Sequence, residues 1–183
     1  MAPQRRKRRG NEAHFNLQAH CYRVLGTDLT AVPGLQALSA QAVIGEVGTD
    51  FSKFPNAAAF SFWAALCPYN DVTGGKVVKR GTRQVNNRLA VALRMAAQSL
   101  AHDQFHLGDY HRRMRARLGP AAAVTATVHK LARIIYHLVT TGEAYDESVL
   151  AREQQRQQKR HEARLRSRAR SFGFELVPIP ASS

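Results

Sequence analysis

A chain of 183 residues fits one helical domain with polar ends, long enough to bury a core. Twenty-seven Lys and Arg stand against thirteen Asp and Glu, a formal charge of +14. This excess calls for a polyanionic partner, nucleic acid before an anionic membrane surface, because clustered cations release counterions from phosphates whatever the base sequence. No apolar run is long enough to span a bilayer, and the basic start RRKRR is followed by polar residues rather than the apolar core of a signal peptide, so the expected location is the cytoplasm. Cys21 and Cys67 lack any paired spacing, which argues against a disulfide framework or a zinc site and for two buried small residues.

In chain order, residues 1–13 read as a disordered basic arm, either solvated or touching phosphate. A helical domain is expected over 14–146. Its first part is a helix, a tight turn at Pro33 and Gly34, and a second helix with an apolar stripe of Leu35, Leu38, Ala42 and Val43. The turn is similar to a helix-hairpin-helix element, in which Gly34 would present backbone amides to a phosphate; a plain helix connection is the other reading, because Gln36 and Ala37 stand where such hairpins carry a second glycine. Asn56 is a good N-cap for AAAFSFWAAL, Pro68 ends that helix, and Trp63 is expected in the core.

Between Val72 and Arg88 lies VTGGKVVKRGTRQVNNR, which contains no carboxylate. Read as a flexible glycine-rich loop, it offers Gly74 and Gly75 for close backbone approach to an anion and Lys76, Lys79, Arg80 and Arg83 for charge. It lacks the glycine spacing of a Walker loop, which excludes nucleotide hydrolysis of that kind. Thr73 at its start is either a turn-forming hydroxyl or a nucleophile toward phosphorus, with Asp71 the nearest candidate base.

NNRLAVALRMAAQSL then places Leu89, Leu93, Ala96 and Leu100 on one helix face and Asn87, Arg94 and Gln98 on another. Over Phe105–Leu118 the stripe is Leu107, Tyr110, Met114 and Leu118, surrounded by arginines. Pro120 opens a long helix with Val124, Val128, Leu131, Ile135 and Leu138 in its stripe, closed by Gly142. His129, Arg133 and His137 share its other face; without an acidic partner they read as a solvated basic ridge, so no metal site is expected. Residues 147–171 form a basic, projecting helix, polar nearly all round, and 172–183 an extended tail. No internal repeat is present. The fold class expected is all-α.

LCPYNDVTGGKVVKRGTRQVNNRLAVALRMAAQSL, with LTAVPGLQALSAQAVIGEVGTDFSKFP before it and AVTATVHKLARIIYHLVTTGEAYD after it, resembles the C-terminal domain of the insertion-sequence transposases of family one-ten (also one-sixteen and nine-oh-two), relatives of the Piv-type DNA invertases. The likeness runs over roughly residues 14 to 178 in unbroken order. It implies DNA transposition, with a serine before a glycine-containing loop attacking DNA and a structured guide RNA pairing with target and donor. An RNase H-like domain with four acidic metal ligands supplies the Mg²⁺ site in that family.

By this resemblance Thr73 takes the serine's place, and Gly74, Gly75, Lys76, Arg80, Arg83, Asn87 and Arg88 match its nucleic-acid-facing surroundings. Two departures follow: threonine replaces serine, crowding the attacking oxygen with a methyl group, and the acidic domain is not in this sequence. The expectation is therefore a strand-exchange module, a fragment inactive alone, whose partners are DNA, guide RNA, an RNase H-like transposase domain or a full-length transposase, and further copies of itself. Two rivals stand beside it: a non-catalytic basic DNA- or RNA-binding protein, and a regulator that pairs with a full-length transposase.

Overall fold

Asn16, Asn56 and Asn87 each precede a helix and accept a hydrogen bond from the first turn with the side-chain oxygen, which fixes where three helices begin. In the computed structural model, which describes residues 13–82 and 87–177, α1 spans Leu17–Leu25 and α2 Ala37–Val47. Gly26 ends α1 in the left-handed conformation (φ 75°), donating its N–H to the Tyr22 carbonyl at 2.9 Å. A 3-10 turn over Leu29–Ala31, capped by Asp28, and the Pro33–Gly34 bend join α1 to α2.

α3 spans Ala57–Trp63, α4 Arg88–Ser99, α5 His106–Leu118, α6 Pro120–Thr141 and α7 Glu147–Ser171. The chain divides into two units, Met1–Tyr145 and Asp146–Ser183.

α6 organises the first unit. It packs against α3, α4 and α5, while α2 packs against α1 and α4. Its buried face is Ala123, Thr127, Val128, Leu131, Ala132, Ile135 and Leu138, the stripe expected from the spacing except that Ala123 and Thr127 turn inward and Val124 is half-buried. The α4 stripe of Leu89, Leu93, Ala96 and Leu100 is buried as expected. Fully burying a leucine stabilises the fold by about 1.5–3 kcal/mol, so these two faces supply much of the core. Between α3 and α6 sits an aromatic cluster: Phe60 lies 5.3 Å from both Phe51 and Phe54, and the Tyr136 hydroxyl donates to the Phe54 carbonyl at 2.8 Å.

The all-α reading holds for this body, with one addition. Pro68–Thr73 and Lys76–Thr82, expected as a helix stop and a flexible loop, are antiparallel strands β1 and β2. They are the only strands among the described residues.

Three side chains expected in apolar stripes or the core stand outside. Leu38 is 59% exposed, Leu118 46% and Trp63 41%. Each falls at a helix end, where the neighbouring helix no longer covers the face. In the α5 stripe the buried position is instead His111, one turn after Leu107. Cys21 is buried and Cys67 half-buried.

The second unit holds α7. Asp146 caps it, accepting from Ser148 N at 2.8 Å, and none of its residues is buried. Among the described residues no helix is long and apolar enough to cross a membrane.

Candidate functional site

Gly74 (φ 57°) and Gly75 (φ 76°) form the two-residue turn of the β1–β2 hairpin. Positive φ at both central positions is the type I′ geometry, whose twist matches that of the flanking strands and which side chains resist. The glycines therefore shape a tip. Thr73 and Lys76 flank it, directly opposite each other in the register and both exposed. Cross-strand neighbours of this kind have Cβ atoms about 5 Å apart, so a hydroxyl and an ammonium share the tip.

Below the tip the register pairs Val72 with Val77, then Asp71 with Lys79 and Asn70 with Arg80. The step between them leaves Val78 as an extra residue, 71% exposed. Such a bulge increases the local twist of the hairpin and re-aims its end. Lys79 and Arg80 are placed on β2 by their backbone; Arg83 lies outside the described residues.

The remaining residues singled out in the sequence stand elsewhere. Asn87 is buried, and its Oδ1 accepts from Leu89 N at 2.8 Å and Ala90 N at 3.3 Å. Arg88 begins α4 with an exposed side chain, while its backbone N–H donates to Glu46 Oε1 at 3.1 Å. The first amides of α4 are thus satisfied from within the protein, by a cap and by a carboxylate on α2, and do not form a free anion cradle.

Gly34 (φ 84°) is pressed against the end of α4: a Cβ there would come within 2.9 Å of the Ala96 carbonyl oxygen and 3.0 Å of Leu100 Cγ. That contact gives Gly34 a packing role. The expected tip residues Thr73, Gly74, Gly75 and Lys76 are brought together, and Gly34 and Asn87 serve the helices.

Glu46 was not singled out by sequence reasoning, and no local pattern announces it, since it acts 42 positions away. His111 also escaped notice. Its Nδ1 is 3.0 Å from Thr127 Oγ1, which itself donates to the Ala123 carbonyl at 2.8 Å, so the imidazole donates from Nδ1 to the threonine oxygen. Burial first, then Arg115 and Arg112, pushes the His111 pKa below the ordinary 6.5.

Burial raises the thiol pKa of Cys21 and of Cys67, leaving them protonated and poor nucleophiles. No group of three or more His, Cys, Asp or Glu side chains among the described residues could hold a metal ion, so these residues do not fit the Mg²⁺ that the resemblance associates with a separate acidic domain.

The architecture defines a class: a helical body that carries one basic β-hairpin with a hydroxyl and an ammonium at its tip. Residues 26–112, from the end of α1 through the hairpin and α4 into α5, match the model of the Transposase IS116/IS110/IS902 family, a match that supports membership of that family and a transposase role. No curated protein matches the chain.

Proposed function

We propose that this chain is a DNA-binding and strand-exchange module of an insertion-sequence transposase, with Thr73 as the attacking group. One observation carries the reading: inside the family-matched segment, the exposed hairpin tip holds a hydroxyl opposite a lysine on a strand that also carries Lys79 and Arg80. In the proposed step the Thr73 oxygen bonds to a DNA phosphorus, the bond from that phosphorus to a strand-end oxygen breaks, and the released hydroxyl takes up a proton equivalent to the one Thr73 gives up. Lys76, with Lys79 and Arg80 on β2 and, by the resemblance, Arg83 and Arg88, offsets the charge on the non-bridging oxygens. Gly74 and Gly75 let the tip approach the backbone closely, with no Cβ in the way.

DNA is the substrate, a guide RNA its pairing partner, and the four-acid RNase H-like domain the source of the metal-bound acids. The Thr73 methyl restricts χ1 and crowds the oxygen, so the serine variant should react faster. The test is a covalent protein–DNA adduct in a complex supplied with the acidic domain. Thr73→Ser keeps or increases the adduct and Thr73→Ala abolishes it; an adduct unchanged in Thr73→Ala overturns the nucleophile assignment.

The inward Oδ1 of Asn87 and the packed Gly34 favour a second reading, a non-catalytic binding module whose contacts are limited to exposed cations. It predicts steep salt dependence with indifference to Thr73.

A further inference from the structure

α7 carries eight cations, Arg152, Arg156, Lys159, Arg160, Arg164, Arg166, Arg168 and Arg170, and no buried residue. At about 100° per residue all eight fall within an arc of roughly 200°, while the remaining arc holds Gln154, Gln155, Gln158, His161, Glu162, Leu165 and Ala169. A solvated helix has no need to sort its charges in this way. The row from Arg152 to Arg170 is about 27 Å long at 1.5 Å per residue, the length of roughly 16 phosphate charges along a duplex axis.

Ion pairs join Arg152 to Asp146 at 3.5 Å and Arg166 to Glu162 at 2.6 Å, both more than half exposed. Such surface pairs contribute little and exchange readily for phosphate.

We infer that the cationic half of α7 is a second nucleic-acid surface, separate from the hairpin, that lies along the phosphates of a duplex. Two features select this partner. Seven of the eight cations are Arg, whose planar fork bonds two phosphate oxygens at once, where a point-charge ammonium cannot. The opposite arc lacks the Trp, Phe and Leu face by which an amphipathic helix sits in a membrane, since Leu165 stands there among glutamines, His161, Glu162 and Ala169. Phosphate also removes the repulsion between successive arginines at i and i+4 (152, 156, 160, 164 and 168), so binding should stiffen a helix that no core supports.

This inference rests on the reading that the chain works on nucleic acid, but not on Thr73. The experiment uses the full chain and two probes, a 20-base-pair DNA duplex and its RNA counterpart, and measures affinity across salt concentrations. The variant Arg156→Gln, Arg160→Gln, Gln155→Arg, Gln158→Arg keeps net charge and helix propensity while moving two cations to the opposite arc. The expected result is weaker binding and a log–log salt slope smaller by about two. A second relocation in the other half of the helix, Arg164→Gln and Arg170→Gln with Leu165→Arg and Ala169→Arg, should do the same, and circular dichroism checks that both variants keep their helix.

A slope unchanged in both variants overturns the facial surface and leaves only net charge. Absence of salt-dependent binding by the unaltered chain overturns the nucleic-acid reading itself. A loss on one duplex type only supports the surface and identifies which of the two α7 meets.

Discussion

Replacing Asn87 by alanine separates a helix cap from a nucleic-acid contact. The Asn87 side chain accepts two hydrogen bonds from the first turn of α4, and the residues donating them, Leu89 and Ala90, are 0% and 1% exposed. Alanine leaves those amides without a partner where water does not reach. A lost cap costs about 0.5–2 kcal/mol and an unsatisfied buried donor about 1–3 kcal/mol; these describe one loss, and the ranges meet at about 2 kcal/mol. For a body of this size that lowers Tm by roughly 6–10 °C. Asn87→Ser, which keeps a capping oxygen, should stay within about 2 °C of the parent. The assay is thermal unfolding followed by far-UV circular dichroism, paired with duplex-DNA affinity at 20 °C, which neither variant should change. An Asn87→Ala protein with parental Tm and weakened DNA binding would refute the reasoning.

Two further outcomes follow from packing and burial. Gly108→Ala drives a Cβ into the Asp103 carbonyl oxygen, a backbone atom that cannot step aside alone, so α5 must shift at a cost of about 1–3 kcal/mol; a Tm within one degree of the parent would contradict this. The pKa of His111 and of His129 is held below 6.5, in each case chiefly by burial, so the folded chain binds fewer protons than the unfolded one at mildly acid pH. Their contribution to stability is complete above about pH 6.5 and declines below it; Tm should fall from pH 7.5 to pH 5.5, and His111→Gln should flatten part of that fall in a buffer series.

The helical body was legible because its signals are local. Asn56 before AAAF, Pro120 at the start of α6 and Gly142 at its end mark boundaries that need no distant partner. The stripes of α4 and α6 repeat often enough that one face has to be buried. The hairpin carried a local signal too, two glycines between β-branched and cationic residues, but the density of charge in VTGGKVVKR drew the reading toward a loop. Leu38, Trp63 and Leu118 were misjudged because periodicity identifies a face without saying how far along the helix that face stays covered. Of the candidate site, the tip was legible as composition and its geometry was not. The roles of Gly34, Asn87 and Glu46 depend on contacts between helices that no spacing encodes.

Trp63 is the chain's one tryptophan, which makes it an optical reporter at a fixed address. Its ring lies 5.3 Å from Phe54 and 5.7 Å from Lys53 Nζ, at the end of α3 and five positions before β1 begins. Emission from this indole is therefore a single-site signal: a red shift marks the loss of the Phe54 contact. Lys53→Met, which removes the neighbouring ammonium, separates its influence on the spectrum from that of unfolding.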